Sequence, residues 1–348
     1  MTRQIFESQP RQRQGGPKVV AIGGGTGLSV LLRGLKHHTD NIVAIVTVAD
    51  DGGSSGKLRR ELGVLPPGDF RSCIAALADD EALITQLFQY RFRSGQGLEG
   101  HSFGNLFITA MAGITGNFEK ALYESGRVLN IRGTILPSTL ENVTLMAEVK
   151  EGSHTRKVEG ESVIPAVKLP IERVYLEPDT PPPFPPALQA ILSADLIVAG
   201  PGSLYTSVMP NLLVAEIVAA IRASTAPKIY ICNVATQPGE TDDYSLDAHV
   251  RAIEIHTQTD QFLNPDDSSN EFSQTPSSGY HLFNYVLANN NLKYPIPASM
   301  KLQPINPTPP SDQSYEVVQA DVVDEEHPWR HDSVKLAHQL MDWYKKIR

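Results

Sequence analysis

Short apolar runs alternate with segments of helical spacing along most of the chain. Lys18–Ile22 (KVVAI) is such a run closed by glycines, and Leu28–Leu35 follows with apolar residues at helical intervals. The order reads as strand, tight turn, helix. Ile42–Val48 (IVAIVTV) is a second run, rich in β-branched residues, and it leads into Asp50 and Asp51. Strands with no polar alternation have to be buried on both faces. They predict an α/β, Rossmann-like fold in three layers, a mostly parallel sheet with helices on each side.

Helical patterns cover Glu81–Phe92, Asn105–Ile114 and Phe118–Leu129, and then the periodicity changes. Val143–Val149 alternates, turns around Glu151–Ser153 and returns through Val158, which predicts an antiparallel hairpin. Short strands are expected near Ile164–Val167 and Arg173–Leu176, making residues 130–176 a β-rich subdomain. EPDTPPPFPP (Glu177–Pro186) reads as a stiff connector, because proline fixes φ and lacks the amide donor. The α/β rhythm resumes with helix Ala187–Ser193, strand Leu196–Ala199, helix Leu212–Ala223 and strand Lys228–Cys232. Residues 258–279 are polar and without period, so a mobile loop is expected there, with Pro304–Ser314 similar. A last helix is expected over Asp332–Ile347, burying Val334, Ala337, Leu340, Met341, Tyr344 and Ile347. There is no internal repeat.

Composition narrows the function classes. The 348 residues, 41% hydrophobic and 20% charged, suffice for one large α/β unit, and residues 17–348 are expected to form it. Residues 1–16 have almost no apolar content and are expected to be a disordered tail without a signal sequence. No run approaches a membrane span. A net charge of -9 argues against a broad grip on nucleic acid. Two cysteines, Cys73 and Cys232, are too few for a disulfide scaffold. The expected compartment is the cytoplasm, with no membrane insertion and no nucleic-acid partner.

Candidate chemistry gathers at strand ends. GGGTG (Gly23, Gly24, Gly25, Thr26, Gly27) joins the first strand to the first helix, where glycines let backbone N–H groups approach a phosphate. It departs from the strict dinucleotide fingerprint, whose third glycine would fall on Leu28. DDGGSSGK (Asp50–Lys57, with Ser54 and Ser55) resembles a P-loop but has Asp51 at its first glycine and Leu58 at its metal-binding hydroxyl. Asp50 and Asp51 therefore have three readings: they hold a ribose, carry a divalent ion bridging to phosphate, or cap the following turn. In PPGDFR, Asp69 reads as a helix cap, while Arg71 pairs with it or reaches a phosphate. HSFGNLF places His101 and Asn105 near a helix start, where either can meet an anion. GPGSLYTS (Gly200, Pro201, Gly202, Ser203 onward) forms a second glycine turn at the end of another strand. Asn233, Thr236 and Gln237 emerge on the same sheet edge with groups suited to a base or sugar.

Taken in order, GGGTGLSVLLRGLK, TVADDGGSSGKLR, PPGDFR, GHSFGNL, GPGSLYTS, PNLL and TQPGETD resemble the YvcK-like gluconeogenesis-factor family (UPF0052), itself related to the phospholactate transferase CofD. The likeness is dense over Pro17–His256 and looser through HDSVKLA in the last helix. It implies a Rossmann-like fold that binds UDP-sugars, acting in cell shape and cell-wall morphogenesis during gluconeogenic growth. CofD relatives instead transfer a phospholactyl group to a deazaflavin. Carried over by motif, Gly23–Gly27, Asp50, Asp51, Gly200–Ser203 and Asn233 are ligand-site candidates. The chain departs from the family pattern at Ala235, where methionine is expected, and in residues 258–279.

No nucleophile–base pair and no Cys/His cluster is evident. The leading expectation is thus a UDP-sugar-binding regulatory factor without catalytic residues. A CofD-like transferase with magnesium on Asp50 and Asp51 stands second. An NAD(P)-binding oxidoreductase stands third, since the same turns would accept NAD(P) in a crystal as a mere pyrophosphate. Cell-wall synthesis or shape proteins, and a second copy of the chain in a homo-oligomer, are the partners this reading allows.

Overall fold

The computed structural model describes residues 15–79, 81–258, 281–309 and 315–348. Apart from Gln258, the expected mobile loop at 258–279 lies outside them, as does the expected tail apart from Gly15 and Gly16. β1 (Val19–Gly23) and β2 (Ile42–Val46) are buried along their whole lengths, as their unbroken apolar runs require. With β3 (Thr134–Pro137), β7 (Leu196–Ala199), β8 (Lys228–Ile231), β9 (Tyr285–Asn289) and β10 (Glu316–Ala320) they form one seven-stranded sheet. Its order is β10-β9-β8-β7-β1-β2-β3, and every pairing is parallel. The chain runs outward from β1 through β2 to β3, then starts again at β7 on the other side. The order therefore reverses between β1 and β7, which places a crevice at their C-terminal ends.

Helices α1 (Gly25–Leu35), α2 (Gly53–Leu62), α3 (Gly68–Leu77), α4 (Glu81–Gln89), α5 (Phe103–Thr115) and α6 (Phe118–Val128) follow the first two strands. A second sheet, β5-β4-β6, is antiparallel and is built from β4 (Thr144–Glu151), β5 (His154–Glu159) and β6 (Ile171–Glu177). Thr134–Pro137, which the sequence groups with this subdomain, belongs to the main sheet instead, paired with β2. Ile164–Val167, expected as a strand, is the short helix α7. Pro165 in its first turn fixes φ at a helical value and lacks the N–H a strand ladder would use. The connector at residues 177–184 leads into α8 (Pro185–Leu192), then β7, a π-helical turn at Leu204–Val208, α9 (Met209–Leu212), α10 (Ala215–Ala223) and α11 (Leu246–Thr257).

The last helix, α12 (Ser333–Ile347), is anchored by Asp332 Oδ1, which accepts from Lys335 N–H at 2.7 Å. It buries Leu336, Ala337, Leu340, Met341, Trp343 and Tyr344, whereas Val334 is 66% exposed and Ile347 37% exposed. The two end residues of the expected stripe thus fall outside the face that α12 buries. Pro304–Pro309 is not loose throughout: Ile305 is buried and its N–H donates to Val234 O at 3.0 Å. No single helix among the described residues is long and apolar enough to cross a membrane.

Candidate functional site

At the C-terminal edge of β1 and β2 lies an open cleft of about 270 Å³. Gly25 and Thr26 open α1 there, Gly53–Ser55 open α2, Gly68 and Asp69 open α3, and Asn105 comes from the first turn of α5. None of the first three helices is capped by its own N-cap side chain. Three N-termini therefore turn backbone donors and the positive ends of their dipoles toward one space. Arg71 and Arg91 add two guanidinium groups to its wall. The buried Arg71 Nε has no partner, and Arg91 Nη1 donates to Gly100 O at 2.6 Å.

Two carboxylates face this positive ring. Asp50 Oδ1 accepts from Gly52 N–H at 2.9 Å, so it caps the turn into α2, and the Ser55 hydroxyl donates to it as well. Asp69 is not an N-cap. It sits in the first turn of α3, accepts from Gly25 N–H across the cleft floor, and leaves Oδ2 buried without a partner. Two glycines make room for the pair. A Cβ on Gly24 would meet Asp69 Oδ2 at 2.5 Å, and one on Gly68 would run into Asp50 Oδ2. Burial above all, then the charge of Asp50, pushes the Asp69 carboxyl up to about 7. Burial likewise raises Asp50, against the pull of Ser55 and Gly52.

Among the expected residues, the fold brings Gly25, Thr26, Asp50, Ser54, Ser55, Arg71 and Asn105 together on the cleft wall. His101 stands behind it, with Nδ1 sharing a 2.9 Å hydrogen bond with Ser54 Oγ. Gly23 ends β1, and Gly27 packs directly on the backbone of Pro201 and Gly202. Asp51 points elsewhere: its Oδ1 accepts from Ser162 N–H at 2.9 Å, in the insertion.

The second glycine turn is internally satisfied. Asn233 Nδ2 donates to Gly202 O at 2.8 Å and to Gln237 Oε1 at 3.0 Å, and Gln237 Nε2 donates to Ser203 Oγ at 2.9 Å. Thr206 Oγ1 donates to the buried Glu240 at 2.9 Å, and Thr236 exchanges hydrogen bonds with Gln303. These polar groups fix the loop against Gly27 and lie outside the open cleft.

Among the described residues, no three His, Cys, Asp or Glu side chains converge as a ready-made metal cage. Asp50 and Asp69, with the free Oδ2, offer a smaller donor set. Sequence reasoning did not single out Asp69, Ser72 or Arg91 as site residues. PPGDFR held the signal for Asp69, read there as a cap. Arg91 carries no local signature, since only the packing of α5 turns its segment over the cleft.

A family model described as 2-phospho-L-lactate transferase CofD matches residues 19–340. The chain belongs to the CofD family. Within it, a relative from Nostoc sp. described as a putative gluconeogenesis factor is 50% identical over 331 residues, covering 94% of this chain and 69% of its own length. The gluconeogenesis factor of Bacillus subtilis is 54% identical over 240 residues, 69% of this chain and 75% of that protein. A crystal structure of a UPF0052 family protein from Bacillus halodurans superposes with a TM-score of 0.80 at 41% identity, covering 94% of this chain and 99% of that one. The CofD-family fold is thus shared across the whole α/β core and its insertion.

Proposed function

We propose that this CofD-family chain is a gluconeogenesis-related factor that binds a nucleoside diphosphate sugar, of the UDP-sugar type, and acts by binding rather than by turnover. The observation that carries the reading is the convergence of three helix N-termini with Arg71 and Arg91 on one cleft. That arrangement favours a polyanion with several oxygens, which a diphosphate supplies. The names of the relatives support the link to gluconeogenic growth, and a role in cell shape and wall synthesis is the physiological side of the same proposal.

The carboxylates define the ligand further. A diphosphate beside Asp50 and Asp69 needs a proton or a cation between them. Magnesium suits that place, because it keeps much of its water and takes one or two carboxylates plus phosphate oxygens. Asp50 and the unpartnered Oδ2 of Asp69 would hold it, in place of Asp50 and Asp51. This pair also favours a second reading, a CofD-type transferase acting on a phospholactyl nucleotide.

Calorimetric titration with UDP-N-acetylglucosamine or UDP-glucose, with and without magnesium, is the test. Arg91 is exposed, so Arg91→Ala is expected to lower affinity roughly tenfold, the scale of one charge-assisted contact, with melting unchanged. No heat with any UDP-sugar, alongside tight binding of NADP, would sink the reading. Product from a phospholactyl-nucleotide donor and a deazaflavin, lost in Asp50→Asn, would move the assignment to the transferase.

A further inference from the structure

The start of α5 brings an uncharged amide to a cleft wall otherwise made of charges and backbone. Asn105 lines the cleft and is 3% exposed. Its backbone is held on both sides: Ser102 Oγ accepts from its N–H at 3.3 Å, and Thr109 Oγ1 donates to its carbonyl at 2.9 Å. The preceding Gly104 packs on the stem of Arg71, where a Cβ would come within 2.7 Å of Cγ, so α5 begins directly against that arginine. The side-chain amide is oriented by Ser55. Asn105 Nδ2 donates to Ser55 Oγ at 3.4 Å. Ser55 has one hydroxyl proton and gives it to Asp50, and a Cβ on Gly68 would strike both of these groups at once. The Ser55 oxygen is therefore left to accept, and a reversed amide would set oxygen against oxygen. This leaves Asn105 Oδ1 buried and without a partner among the described residues. On the same wall the Arg71 guanidinium donates to Phe88 O at 3.4 Å and Ser72 Oγ at 3.3 Å, and its buried Nε also has no partner there. A buried acceptor and a buried donor are thus both left open.

We propose that Asn105 is a ligand-contact residue whose Oδ1 accepts a hydrogen bond from a sugar hydroxyl of the nucleotide. This rests on the nucleotide reading given above and assigns one wall of that site to the sugar rather than to the phosphates. The ionised oxygens of a diphosphate only accept, so an amide oxygen gives them nothing. A hydroxyl both donates and accepts. It can donate to Asn105 Oδ1 while its oxygen accepts from Arg71 Nε, which fills both open positions with one group. Ribose and hexose each carry such hydroxyls. In the sequence HSFGNLF reads as an anion contact, but the bond to Ser55 takes the amide's donor away from that role and leaves its acceptor.

The experiment titrates UDP-glucose, UDP and inorganic pyrophosphate, all with magnesium, into wild type, Asn105→Ala and Asn105→Leu. Leucine keeps the bulk of the side chain, so it serves if alanine lets the wall collapse. We expect both variants to weaken UDP-glucose about tenfold, the scale of one hydrogen bond, and to leave pyrophosphate unchanged. Retained pyrophosphate binding also shows that the cleft is still formed. The UDP arm then places the hydroxyl: an equal loss with UDP assigns it to the ribose, and unchanged UDP assigns it to the hexose. Wild-type affinity for UDP-glucose in both variants would overturn the assignment. So would an equal loss of pyrophosphate in a variant that melts like wild type, because Asn105 would then meet the phosphates or the water around their magnesium. Failure of wild type to bind UDP-glucose or UDP at all would instead sink the nucleotide reading, and this assignment with it.

Discussion

A buried carboxylate oxygen without a hydrogen-bond partner needs a reason, and Asp69 Oδ2 is one, under the charge of the neighbouring Asp50. The crowding of two acids at this spot has a pH signature. Burial, then the charge of Asp50, raises the Asp69 pKa in the folded state to about 7, from an ordinary 3.8. The folded protein therefore binds this proton more tightly than the unfolded chain, so the contribution to stability is full below about pH 4 and is lost as pH rises through about 7. The ceiling on that loss is about 4 kcal/mol at 1.36 kcal/mol per unit, shared with Asp50 because the two protons titrate together. We expect the free protein to melt several degrees lower at pH 8 than at pH 5, and Asp69→Asn to flatten that slope. A slope equal to wild type in Asp69→Asn would show that the pair is not strained. Magnesium with a UDP-sugar should remove most of the pH dependence in wild type.

At the scale of elements, glycines decide which pieces can touch. Gly34 in GLSVLLRGLK lies where α1 meets α12, and a Cβ there would collide with Ser333 O. Overpacking of this kind costs typically 1–3 kcal/mol. Gly34→Ala should therefore lower the melting temperature by several degrees, yet leave nucleotide affinity intact at low temperature, since the cleft is at the other end of α1. Thermal melts and titrations on the same sample check both halves, and an unchanged melt would refute the contact. The strand–turn–helix around GGGTG was legible because apolar strand, glycines and helical spacing all agree. α2 was not: GSSGKLRREL has two glycines, two serines and few apolar residues, so its pattern reads as a loop. Its helix forms because Leu58 is buried and because Arg59 Nη2 reaches back to donate to Val143 O of the insertion at 2.6 Å. β9 and β10 were also missed, each a five-residue strand beside polar chain.

At the scale of the whole molecule, the sheet holds both glycine turns at one edge, and α12 closes its flank against α1. Removing residues from Ser333 onward would uncover the partners of Leu336, Leu340, Met341 and Tyr344, all buried. We expect that truncation to abolish the cooperative melt and with it ligand binding, although no removed residue lines the cleft. A soluble truncated chain that still binds a UDP-sugar would show that α12 is dispensable. The sequence by itself determined the α/β class, the two glycine turns, the antiparallel insertion and family membership, because each is written in local period or in contiguous motifs. Only the tertiary structure decided the strand order, the placement of Thr134–Pro137 in the main sheet, the direction of Asp51 away from the cleft, and the arrival of Asp69 and Arg91 at it. Those depend on which distant segments share space, and backbone contacts such as Gly24 against Asp69 or Gly160 against Asp51 leave no periodic trace along the chain.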